Sequence, residues 1–161
     1  DLTMRKILMN PEHYNYQVWR KRVANTVKAA RGVVEDKYVD LVERGMVKLD
    51  EVIEMMKKQM AEGKFMHLFM NATPLQQAMF MMSMAWAQLW SLIITTPKRK
   101  ELVGDKKGAE LDALLADNAE AAYYNGRVLS AQFFLGAEFP KYFGKIDGFI
   151  LSVTILLLFW G

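Results

Sequence analysis

The chain has 161 residues, 52% of them hydrophobic, which suits one globular domain with a sizeable core and speaks against disorder. It contains no cysteine, which excludes disulfides, thiolate nucleophiles and cysteine-held zinc, and fits a reducing, cytoplasmic setting. Its 21 basic and 18 acidic residues leave a net charge of +3 spread along the chain, without the concentrated basic patch that nucleic-acid binding requires.

The opening stretch DLTMRKILMNP lacks the basic-then-apolar layout of a secretory signal and reads as the interior of a longer polypeptide. After the Asn10-Pro11 turn, Val18, Trp19, Val23, Val27 and Ala30 recur at helical spacing, with Arg20, Lys21, Arg22 and Lys28 between them. This predicts an amphipathic helix ending near Gly32, whose basic run is an ordinary wet face. Val34, Tyr38, Leu41 and Val42 mark a second, shorter helix from Val34 to Glu43, broken at Gly45. Leu49, Val52, Ile53, Met56 and Met60 then form an apolar stripe backed by Glu51, Glu54, Lys57 and Lys58, with Gly63 as its stop.

Thr73-Pro74-Leu75-Gln76 matches a capping box with proline at the first helical position. The helix it starts is expected to run to Thr96, where Pro97 breaks it. Ala78 to Ile94 is apolar nearly all round, so other helices must cover it. Gln88 would be costly in lipid and the flanks carry no aromatic belt, so this is a core helix and not a membrane span.

Pro97 to Lys107 is charged and belongs on the surface. One long helix should follow from Ala109 to Phe139, carrying Leu111, Leu114, Leu115, Val128, Ala131, Phe134 and Leu135, and ending at Pro140. Gly126 in its middle costs about 1 kcal/mol relative to alanine, which implies a close approach of another backbone there. Two long helices joined by a short loop fold back on each other. The expected fold is therefore all-α: an up-and-down helical bundle around a long antiparallel hairpin of about 73–96 and 109–139. Trp86 and Trp90 would meet Tyr123, Tyr124, Phe133 or Phe134 in its core, with Met79, Met81, Met82 and Met84 filling gaps. The final FILSVTILLLFWG holds about a dozen apolar residues, short of the ~20 a membrane-spanning helix needs, and suits a docked tail that is either strand or buried helix.

Reaction chemistry is sparse. His13 and His67 are the only histidines, and neither has a carboxylate three or four residues on. There is no glycine-rich phosphate loop and no Gly-x-Ser-x-Gly elbow. The pairs Glu51 and Glu54, and Asp112 and Glu120, sit among polar residues and read as solvated surface. No catalytic, cofactor-binding or metal-ligating residue is assigned.

Two segments carry a family likeness. They are ATPLQQAMFMMSMAWAQLW, from Ala72 to Trp90, and AAYYNGRVLSAQFFLGAEFP, from Ala121 to Pro140. Together they resemble the extra C-terminal helical domain of the larger acyl-CoA dehydrogenases. The resemblance implies that residues 1–11 end an upstream flavin-domain segment, 12–147 form the helical bundle, and 148–161 are an apolar tail unlike the family's longer, more polar one. It also implies a full-length parent that uses FAD to oxidise an acyl-CoA to a 2-enoyl-CoA. In that family a carboxylate removes the α-proton while flavin N5 accepts the β-hydride, and the base ordinarily lies upstream of the position matched by Asp1. The fragment alone should then be inactive. Its expected partners are the rest of the dehydrogenase and further copies in a homo-oligomer, with acyl-CoA and an electron-transfer partner serving the parent. Nucleic acid is not among them. Two other classes compete: a stand-alone helical interaction or dimerisation module, and a peripheral membrane protein using its basic first helix or apolar tail.

Overall fold

Apolar residues recurring every three or four positions build helices along almost the whole chain. The computed structural model describes Met9 and residues 13–160, and among the described residues there is no strand. Helix α1 spans Tyr14–Ala30, α2 Asp36–Ala61, the short α3 Phe65–Met70 and α4 Ala72–Val103. Helices α5, Gly108–Asp117, and α6, Ala119–Phe133, lead into a π segment, Phe134–Glu138, and then α7, Lys141–Trp160. The expected flavin-domain remnant at residues 1–11 lies, Met9 apart, outside the described residues.

The first turn closes as expected. Gly32 takes φ 79°, a left-handed conformation, while the carbonyl of Ala30 accepts from the amides of Val33 and Val34. The expected break at Gly45 is absent: α2 continues through it to Ala61. A side chain at that position would have no room, because a Cβ there would lie 2.6 Å from Cζ of Phe139 and 3.0 Å from Sδ of Met82. Gly45 is thus a packing residue, and the close approach expected at Gly126 belongs here instead. Around Gly126 nothing lies within 4 Å of an added Cβ.

Helix α4 differs from its expected form at both ends. It begins at Ala72 with Asn71 as N-cap, so Thr73 already lies inside the first turn and the Thr73-Gln76 box is not formed. Asparagine is itself a favoured N-cap, and Pro74 one turn in lacks only an amide that has no intrahelical partner anyway. At the other end the helix passes through Pro97 to Val103. Pro97 sits on the exposed side, while Thr95 and Val103 are buried on the core side. The amide of Gly104 closes the end by donating to the carbonyl of Lys100.

The second arm is divided. Asn118 adopts an extended conformation, and its side-chain oxygen accepts from the amide of Ala121 at 3.0 Å, which caps α6 and separates it from α5. Helices α4 and α6 lie side by side. Nε of Arg99 donates to Oδ1 of Asn125 at 2.8 Å and Nη2 of Arg127 donates to Oγ of Ser91 at 3.1 Å, so the two helices run in opposite directions. At Phe134 the α-helical pattern gives way to a π turn, with the amide of Phe139 donating to the carbonyl of Phe134 at 2.8 Å. Pro140 follows, and α7 then runs through the apolar end as helix, which settles the strand-or-helix alternative left open by periodicity.

The core gathers Val23 and Val27 of α1, Val42, Leu49 and Ile53 of α2, Met82, Leu89 and Leu92 of α4, Val128 of α6 and Ile146 of α7. Each such side chain contributes about 1.5–3 kcal/mol when fully buried. Among the described residues α4 is long and apolar enough to cross a membrane. Its contacts with α1, α2, α6 and α7 make it the central helix of the bundle.

Replacing Gly45 by alanine forces a methyl into the Phe139 ring and should cost about 1–3 kcal/mol. The same change at Gly126 removes only helix-interior glycine entropy and should stabilise by about 0.5–1 kcal/mol. Urea unfolding of both variants checks the pair, and equal effects would contradict the assignment.

Candidate functional site

Three features of the bundle could do chemistry or binding: a polar node between α1 and α2, a cleft between α4 and α7, and an apolar outer face on α4 and α6. The node forms because a heptad-like face of α1 carries Tyr16 and Arg20 one turn apart, opposite Asp50 on α2. The Asp50 carboxylate accepts from the Tyr16 hydroxyl at 2.7 Å and from Nε of Arg20 at 2.8 and 2.9 Å. Nη2 of Arg20 adds an ion pair at 2.8 Å. Arg20 therefore leaves the wet basic face expected for it and clamps two helices, a fork-to-carboxylate geometry that fixes orientation as well as charge.

Burial, then the hydrogen bond to the Asp50 carboxylate, pushes the Tyr16 phenol well above its ordinary range. Burial does the same to Tyr142, with the Asp50 charge adding to it, and the Tyr142 hydroxyl donates to the carbonyl of Gly45 at 3.3 Å. Both phenols stay protonated at neutral pH. Each donates its hydroxyl proton within the bundle, Tyr16 to Asp50 and Tyr142 to the carbonyl of Gly45.

The cleft opens where the start of α4 passes α7 and has a volume of about 360 Å³. Ala78 and Met81 of α4 face Ile146 and Phe149 of α7, with Tyr142 beneath and Lys145 and Gln77 at the margin. A more open groove of about 480 Å³ continues along Thr73, Gln76 and Phe80 and shares Gln77, Met81 and Lys145 with it.

The expected aromatic core of the hairpin forms only in part: Trp86 and Phe134 are half-buried against the core, and the other rings are not. Trp86 turns toward α1, where its Nε1 donates to Oγ1 of Thr26 at 2.8 Å. Trp90 is 59% exposed, Tyr123 60% and Phe133 65%. Phe80, Ala87, Trp90 and Ile94 instead follow one another along the outer side of α4, and Tyr123, Gly126, Phe133 and Ala137 along the outer side of α6 and the π segment. Tyr123 and Tyr124 pair edge to face at 5.2 Å within α6, and Phe139, Tyr142 and Phe143 form a three-ring cluster with centroids 5.1 to 5.6 Å apart and the Arg44 guanidinium over Phe143 at 4.0 Å. Of the methionines, Met82 is fully buried, while Met79 and Met81 are partly buried against the core.

Glu51 pairs with Lys48 and Glu54 with Lys57, Asp112 and Glu120 are exposed, and none of the four lines the α4–α7 cleft or the groove beside it. Among the described residues no three His, Asp or Glu side chains gather to hold a metal ion. A flavin dinucleotide does not fit the residues present. The left-handed glycines Gly32, Gly63, Gly104 and Gly108 stand singly at helix ends, not together as a pyrophosphate cradle, and the two clefts share Lys145 as their one cation.

The described residues form a helical bundle whose α4 and α6 carry large exposed apolar side chains. Residues 19–148 match the family described as acetyl-CoA dehydrogenase C-terminal like, and the chain belongs to that family. The match runs from α1 into α7 and includes both segments that carry the resemblance. No curated protein and no solved structure matches the chain.

The raised phenols make stability fall with alkali. Below the unfolded tyrosine value, near 10, the contribution of Tyr16 and Tyr142 is complete; above it the unfolded chain sheds protons that the folded chain keeps. Each should remove up to about 1.4 kcal/mol per pH unit above 10. Unfolding free energies measured from about pH 8 to about pH 11, roughly the span in which free phenols titrate, should decline in the unsubstituted chain and decline less in Tyr16→Phe/Tyr142→Phe.

Proposed function

We propose that this chain serves as the C-terminal accessory domain of an FAD-dependent acyl-CoA dehydrogenase, in a reducing cytoplasm, and does not desaturate acyl-CoA by itself. The family match over residues 19–148 carries this reading. The large apolar side chains left exposed on α4 and α6 support it, because they offer a surface for the rest of an enzyme to cover. The reaction of the parent would need the flavin as hydride acceptor, and that chemistry comes from the cofactor and not from these helices.

The outer face of α4 and α6 gives the domain its task. Phe80, Trp90, Ile94, Tyr123 and Phe133 are all more than half exposed. Clustered large apolar side chains of this kind mark interaction surfaces. In the proposed enzyme this face is covered by the remainder of the dehydrogenase or by its counterpart in a homo-oligomer. The purified chain should then be colourless and leave a panel of saturated acyl-CoAs unoxidised in the presence of a dye acceptor. Flavin retained through gel filtration together with dye reduction would overturn the reading.

Charging the face separates interface from core. Trp90→Glu/Phe133→Glu should change the unfolding free energy of the isolated chain by no more than about 0.5 kcal/mol, as surface substitutions do, and lower its self-association in sedimentation. A loss above about 3 kcal/mol, the cost of truncating a buried aromatic ring, would place these rings in the core instead.

A further inference from the structure

The cleft between α4 and α7 has walls of one chemistry and a rim of another. Ala78, Met81, Ile146 and Phe149 make it apolar, and its volume of about 360 Å³ falls in the range of small-molecule sites. Methionine at such a wall adapts to an unbranched chain more readily than a branched side chain does. At the rim stands Lys145. The neighbouring lysines are engaged: Lys141 binds the Glu138 carboxylate at 2.8 Å, and Lys48 pairs with Asp147 at 3.3 Å. Lys145 has no carboxylate partner among the described residues, and it borders both the cleft and the open groove beside it. Gln77 is the other polar side chain common to both.

An apolar slot with one unengaged cation at its mouth selects a ligand that is apolar over its length and negative at one end. A peptide would need partners for its backbone amides, and the walls are helices whose own backbone groups are already used. A nucleotide would need more than one cation and a ring platform. We propose that the α4–α7 cleft binds a single-chain anionic amphiphile, with its alkyl chain between Met81 and Phe149 and its head group at the Lys145 ammonium. The head is a carboxylate or a phosphate, which share this chemistry. The inference rests on the cleft and on Lys145, and it stands or falls independently of the dehydrogenase reading.

The test titrates the full chain with decanoate below its micellar concentration and follows backbone amide shifts. Saturable shifts confined to residues 74–81 and 142–152 are expected. Lys145 is exposed, so Lys145→Glu should fold normally and weaken decanoate roughly five- to ten-fold while leaving decyltrimethylammonium binding no weaker. Met81→Trp, which fills the slot, should weaken both probes. Running decyl phosphate beside decanoate identifies the preferred head, and tighter binding of either supports the site. The proposal is overturned by absence of saturation, by shifts centred on Trp90 and Phe133, or by an unchanged decanoate affinity in Lys145→Glu.

Discussion

The bundle depends on one contact, the seating of the Phe139 ring against the bare backbone of Gly45. Phe139 and Leu135 are both fully buried, and the π turn is what brings them there, since it inserts an extra residue into the helical repeat just before Phe139. The ring then stacks on Tyr142, whose hydroxyl returns to the carbonyl of Gly45. Met82 of α4 approaches the same glycine. Four elements thus share one point of close approach. The position of α7, and with it the far wall of the α4–α7 cleft, follows from an absent Cβ on α2.

Much of this was legible in the amino-acid sequence because periodicity reports burial. The stripes Val23 and Val27, Leu49, Val52, Ile53 and Met56 appear in the core as their spacing predicts. Glycine and proline were less informative, because each has two physical meanings. Gly45 has the composition of a breaker and the environment of a packing residue, and only the partner, 94 positions away at Phe139, distinguishes them. Pro97 has the composition of a stop, but a helix anchored on both sides of it by buried Thr95 and Val103 tolerates one lost hydrogen bond. Asn118 carried a usable signal as a favoured N-cap ahead of Ala119 and Glu120, hidden by the continuous apolar pattern around it.

The binding features were harder to see for the same reason. Helical spacing groups Trp90 with Ile94, and Tyr123 with Phe133, but it does not say whether a stripe faces the core or solvent. In this chain α4 has two apolar sides and buries one. The clamp of Arg20 on Asp50 joins residues 30 apart, and no local pattern distinguishes Arg20 from Lys21 or Arg22 beside it. The cleft exists only once α7 lies against α4. The family resemblance, by contrast, rested on the order of aromatic and small residues in two helices, and the match over residues 19–148 bears it out.

The domain leaves large apolar side chains of α4 and α6 uncovered. The measurement that bears most directly on this account is the mass of the polypeptide purified from its source, taken with its visible absorption spectrum. A chain several times longer than 161 residues, carrying flavin bands, is the expected result. A colourless protein of about this length would contradict it.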